Sequence, residues 1–162
     1  MAVAERRAAD LLPLVSRLCA DYARAIDDDR LEDWPAFFTD PCLYVITSSD
    51  NHRRGLPAGL VYADSQGMLA DRVAALREAN IYERQTYRHL LGLPALLDES
   101  DGAVRAETPF LVVRIMRNGT MDLFATGRYL DVLIDAAGGL RLRERLVVCD
   151  SSRIDTLLAI PI

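Results

Sequence analysis

A chain of 162 residues with 51% hydrophobic and 27% charged residues has the composition of a soluble globular protein, and residues 1–162 are expected to form a single domain. A net charge of -5 argues against nucleic acid as a partner, because phosphate contacts need a basic face. All 19 basic residues are Arg, and the three cysteines (Cys19, Cys42, Cys149) lack CxxC spacing. The opening MAVAERRAAD carries no apolar stretch behind its Arg pair, so no export signal is expected. The apolar runs fall short of the ~20 residues a membrane helix needs. A cytoplasmic location with reduced thiols is the expectation.

In chain order, Leu11, Val15, Leu18, Tyr22 and Ile26 recur at three- and four-residue steps and predict a helix over 8–27, with Asp10 as its N-cap. The helix dissolves into Asp27-Asp28-Asp29, an acidic run read as a solvated turn because it opposes the macrodipole. LEDWPAFF (31–38) reads as a short helical piece and CLYVITS (42–48) as a strand. Residues 49–63 read as loop, followed by a helix over 65–79 capped by Asp64 or Ser65. Tyr87 to Leu97 reads as a strand, and Asp101-Gly102 as a hairpin turn.

Three long strands follow: 103–117, 120–136 and 140–150. Asn118-Gly119 between the first two suits a two-residue type I′ turn, and Gly138-Gly139 separates the last two. Helices first and consecutive hairpins later predict an α+β fold. The arrangement is a cystatin-like or NTF2-like cone, its N-terminal helices packed on a long curved antiparallel sheet.

Chemistry is sparse. The two histidines, His52 and His89, have no second ligand at metal spacing, and no phosphate loop or nucleophile elbow is present. Neither catalytic, cofactor-binding nor metal-binding residues are assigned. An acid–base alternative remains, since a cone can hold a pocket where one His and a carboxylate work together. His89 with Asp131 or Glu144 is the set available for it. Strand alternation puts Glu144 inward with Leu140, Leu142, Leu146 and Val148. The same alternation puts Arg141, Arg143 and Arg145 on the opposite face, as an ion-pair ladder with Asp122, Asp131 and Asp135 or as a subunit contact. The apolar tail, with Leu157 and Ile160, is expected to dock on something, a neighbouring subunit being the natural partner.

The run DNHRRGLPAGLVYADSQGMLADRVAALREANIYERQTYRHLLGLP (50–94), with TPFLVVRIM (108–116), FATGRYLD (124–131), LRLRERLVVCDSS (140–152) and DTLLAIPI (155–162), resembles the small (β) subunits of aromatic-ring-hydroxylating dioxygenases. Within that family the likeness is greatest to the small subunits that serve terephthalate, and smaller to those of salicylate and anthranilate hydroxylases. The resemblance implies a structural, non-catalytic chain in an α3β3 hexamer with β–β contacts. By the same resemblance, the large (α) subunit carries a Rieske [2Fe-2S] cluster and a mononuclear Fe(II). A reductase would supply NAD(P)H-derived electrons for cis-dihydroxylation of an aromatic carboxylate with O2. A stand-alone cone-fold isomerase or dehydratase, or a small-molecule binding protein, is the alternative. An open pocket lined by His89 would favour it; an interior filled by Trp34, Phe37 and Phe38 would remove it.

Overall fold

A computed structural model describes residues 8–57, 59–79, 83–153 and 158–162. Helix α1 (Ala8–Asp27) buries Leu11, Val15, Leu18, Tyr22 and Ile26, the expected stripe. Asp10 lies inside its first turn rather than at the N-cap, because the helix is already formed at Ala8. At the other end the Arg30 N–H donates to the Ala25 carbonyl (2.8 Å) and the Asp29 N–H to that of Ile26 (3.1 Å). With Asp29 at φ 57, this is a Schellman ending built on aspartate instead of glycine.

A 3-10 helix (Leu31–Phe37) leads into β1 (Phe38–Ser48). The strand begins earlier than the sequence suggests, because Phe38 already pairs with Leu142 and buries its ring. The stretch read as loop holds a short helix, α2 (Ser49–Arg53), capped by the Ser48 hydroxyl, and a three-residue strand, β2 (Val61–Ala63). Helix α3 (Gln66–Ala79) is capped by Ser65, whose Oγ accepts from the Met68 N–H at 3.2 Å.

The strand expected over 87–97 is two strands, β3 (Gln85–Leu91) and β4 (Ala95–Ser100). Gly92-Leu93-Pro94 breaks it, since Pro94 offers no N–H and restrains the residue before it. Both pieces pair with β5 (Ala103–Met116), β3 along 110–116 and β4 along 103–107. The meander continues through β6 (Met121–Ala136) and β7 (Gly139–Cys149). The sheet order is β2-β1-β7-β6-β5-β3, with β1 parallel to β7 and the other pairs antiparallel.

Asp101-Gly102 forms the expected hairpin turn, whereas Asn118-Gly119 departs from the type I′ turn expected of it. Asp101 and Gly102 both have positive φ (54 and 71), the signature of a two-residue type I′ turn. At Asn118-Gly119 only Gly119 is positive (φ 86), and the Met116 N–H donates to the Thr120 carbonyl at 2.9 Å. That closes a three-residue loop with glycine at its left-handed position, and the Asn118 side chain instead accepts from the Thr120 N–H.

The largest departure lies in β7. Its register on β6 slips between Val132↔Glu144 and Leu133↔Leu142, leaving Arg143 as an extra residue. A one-residue bulge reverses side-chain parity beyond it. Leu140 and Leu142 face the core before the bulge; Arg145, Val147 and Cys149 face it afterwards. Glu144, expected inside, is therefore outside, and Arg145, expected outside, is completely buried.

Candidate functional site

The place where a cone fold would do chemistry is its concave interior, under α1. Here Arg145 lies directly opposite Asp131 across the β6–β7 ladder. Its Nε and Nη2 donate to the two carboxylate oxygens at 2.8 and 2.7 Å, with both side chains fully buried. The guanidinium is sandwiched between the rings of Tyr22 and Tyr129, 4.1 and 4.0 Å from their centroids. Nη2 also lies 3.3 Å from Cys19 Sγ, and Thr108 Oγ1 is 3.8 Å from the same sulfur.

Burial opposes the charge on Arg145, but the Asp131 carboxylate outweighs it and holds the guanidinium protonated well beyond its ordinary range. Burial pushes up the Cys19 thiol and the Tyr22 and Tyr129 phenols, each against the lowering influence of Arg145. The two charges face one another in a bidentate pair that is fully buried, with the rings of Tyr22 and Tyr129 closing over the guanidinium.

Aromatic packing fills the space around the pair. Trp34, Phe38 and Tyr44 meet edge-to-face with centroids 5.1 to 5.9 Å apart, and Phe110 stacks on Tyr129 at 4.6 Å. Phe37 packs against this cluster from its rim. Residues 158–162 complete it: Ile162 is fully buried, and its carbonyl accepts from the hydroxyls of Tyr22 and Tyr44.

His89 is not part of this centre. Its Nδ1 is 2.6 Å from Asp27 Oδ1, and its backbone N–H donates to Asp27 Oδ2 at 2.9 Å. The imidazole is wholly buried and Asp27 nearly so, and Nε2 meets no hydrogen-bond partner among the described residues. The last residue of α1 thus clips the helix to β3 and occupies a backbone donor on that edge strand. A groove of about 430 Å³ lies beside it, lined by Asp27, Arg77, Arg84, Gln85, Tyr87 and Ile160, among others, but not by His89.

The sequence-derived set of His89, Asp131 and Glu144 is therefore not assembled. Asp131 belongs to Arg145, His89 to Asp27, and Glu144 sits outside near Arg143 at 3.9 Å. Asp122 pairs with Arg114 at 2.8 Å rather than with β7. Among the interface candidates, Arg145 and Ile160 are buried within this chain, while Arg141 and Arg143 are partly exposed. Leu157 lies outside the described residues. Sequence reasoning missed Asp27, Cys19 and Tyr129. For Asp27 a signal existed: a carboxylate in the last turn opposes the helix dipole and so calls for a compensating partner.

Among the described residues no three His, Cys, Asp or Glu side chains come together as metal ligands. No helix there is long and apolar enough to cross a membrane.

The outer face of the same sheet is different. Leu90 pairs with Leu111, Val113 with Leu123 and Ile115 with Met121, forming a contiguous apolar surface. Leu90, Met121 and Leu123 are 57%, 69% and 71% exposed. On the β1–β7 side, Leu43, Val45, Leu56, Tyr62 and Leu146 line a second apolar groove of about 370 Å³.

A cone whose centre is filled by its own side chains and whose outer face exposes leucines fits an assembly subunit, and the chain belongs to the ring-hydroxylating β-subunit family, matched over residues 21–156. It is the small, non-catalytic subunit of an aromatic-ring dioxygenase. The terephthalate 1,2-dioxygenase terminal oxygenase component subunit beta 2 of Comamonas sp. is 54% identical over 143 residues, covering 88% of this chain and 93% of the relative. The anthranilate 1,2-dioxygenase small subunit of Burkholderia cepacia is 43% identical, covering 87% and 88%. A crystal structure assigned as the β subunit of an aromatic-ring-hydroxylating dioxygenase from Novosphingobium aromaticivorans superposes with a TM-score of 0.87 at 39% identity, covering 96% of this chain and 99% of that one.

Proposed function

We propose that this single-domain, cytoplasmic chain builds an α3β3 oxygenase that cis-dihydroxylates an aromatic carboxylate of the terephthalate type. The large subunit would carry the Rieske [2Fe-2S] cluster and the mononuclear Fe(II), with a reductase delivering electrons from NAD(P)H. The observation that carries the reading is the filled interior. The space a cone-fold enzyme would give to substrate holds Trp34, Phe38, Tyr44, a closed Asp131–Arg145 pair and Ile162. Support for subunit contacts comes from the apolar outer face, and Arg141 and Arg143, partly exposed near the start of β7, are proposed as separate polar contacts.

Terephthalate is favoured over anthranilate as the substrate by 54% against 43% identity to the respective subunits. Co-expression with a neighbouring large-subunit gene tests the assignment. The expected result is co-purification with a larger iron-containing chain at equal stoichiometry, with oxygen-dependent turnover of terephthalate and an iron-free chain when expressed alone. A stable lone chain that takes up no large subunit would overturn it. A hexamer active on anthranilate and not on terephthalate would overturn only the substrate.

A further inference from the structure

Residues 158–162 sit in the cone in the manner of a ligand. Leu158, Ile160 and Ile162 are all buried, yet none of the five residues belongs to a strand or helix. They are held by side chains from three separate elements. The Ile162 carbonyl accepts from Tyr22 Oη of α1 (3.1 Å) and Tyr44 Oη of β1 (2.9 Å), and the Ile162 N–H donates back to Tyr44 Oη at 3.2 Å. From α3, the Arg72 guanidinium donates to the Leu158 carbonyl. The phenol of Tyr44 that takes Ile162 also packs edge-to-face on Trp34 and Phe38. An apolar branched group and a carbonyl thus meet aromatic walls and two hydroxyl donors, which is how a pocket receives a small apolar ligand with one acceptor.

We infer that residues 158–162 are a self-ligand: a separable plug seated in the cone's own cavity, which accepts the same chemistry, a short apolar peptide, in trans when the plug is displaced. A segment without ladder hydrogen bonds opens locally, whereas the strands around it exchange only through larger unfolding.

Amide hydrogen exchange on the full chain is the first test, comparing wild type with Tyr44→Phe, which removes two of the hydrogen bonds to Ile162. The amides of Leu158, Ala159, Ile160 and Ile162 should exchange roughly tenfold faster in the variant, with β5–β7 unchanged. In the second test, full-length Ile162→Asp, which places a carboxylate in the apolar seat, is titrated with N-acetyl-Leu-Ala-Ile-Pro-Ile. The variant should bind the peptide saturably and the wild type should not. If Ile162→Asp does not fold alone, the peptide should restore a cooperative melting transition. Wild-type plug amides exchanging at the rate of the β5–β7 core would overturn the inference. So would a displaced-plug variant that neither binds the peptide nor is rescued by it.

Discussion

The two faces of the β5–β6–β7 sheet come from the same residues taken alternately, but they solve opposite problems. The inner face buries a full ion pair, three tyrosines and residues 158–162, and the Asp131–Arg145 pair and the hydroxyls of Tyr22 and Tyr44 find their partners inside the chain. The outer face carries leucines and a methionine more than half exposed among the described residues. The contrast teaches that charge buried within the chain is paired there, while apolarity left on its surface is what the proposed assembly would cover. Variants that act on one face and spare the other put that division to the test.

The largest effect should come from the ion pair. Arg145→Met alone strands a buried carboxylate and should cost about 3–5 kcal/mol in urea unfolding. Asp131→Leu combined with Arg145→Met should cost far less than the two single changes added together, since neither charge is then left without its partner. Additive losses would mean that the pair is not the unit the inner face is built around.

Gly127→Ala ranks next. A Cβ there would come 2.1 Å from the Val148 carbonyl oxygen, so β6 and β7 must separate locally, at about 2–3 kcal/mol. A thermal melt indistinguishable from wild type would show that the strands have slack at that crossing.

On the outer face, Leu123→Glu should leave the stability of the isolated chain within about 0.5 kcal/mol while weakening association with the large subunit or neighbouring copies. Native mass spectrometry of the co-expressed complex reads this directly, and full assembly of the variant would remove Leu123 from any interface. Ile160→Asp should behave in the opposite way, lowering the melting temperature before it touches assembly, because Ile160 is buried within its own chain.

The smallest effect is electrostatic. Arg77 donates two hydrogen bonds to Glu32, at 2.7 and 3.0 Å, and these hold its carboxyl at about 2 instead of the ordinary 4.5. A depressed folded-state value means a contribution fully present above pH 4.5 and lost as pH falls towards about 2. Both side chains are solvent-exposed, so screening limits the contribution to a few tenths of a kcal/mol. Glu32→Gln should be slightly less stable than wild type at pH 6 and equal to it near pH 2. A gap that persists at pH 2 would point to packing rather than charge.

The boundary between what could be read in the chain and what could not runs through single strands. The 103–117 and 120–136 strands and the α1 stripe announce themselves, because their apolar periods are local. The parity of β7 does not: the alternation of LRLRERLVV breaks at three consecutive charged residues, 143–145, and the sequence does not say which of them is skipped. That one slip moves Arg145 from an expected surface ladder to the deepest point of the core, and moves Glu144 the other way. The acid–base trio does not form: the slip turns Glu144 outward, and His89 and Asp131 find partners on distant parts of the chain. His89 and Asp27 lie 62 positions apart in the chain, and Asp131 finds Arg145 only once the bulge has formed.

The sequence by itself determined the α+β order, the cone, the absence of metal-ligand and nucleophile motifs, and, through a continuous likeness, the dioxygenase small-subunit family. Each of these is written in local periods, turn residues or long runs of residue identity. The tertiary structure alone decided which carboxylate meets which base, which face of β7 is inside, and that the apolar tail seats on Tyr22 and Tyr44 of its own chain. The physical reason is common to all three. Hydrogen-bond partners, strand register and the destination of a free segment depend on groups brought together across 14 to 140 positions, and a pattern with a period of two or 3.6 residues carries no information at that distance.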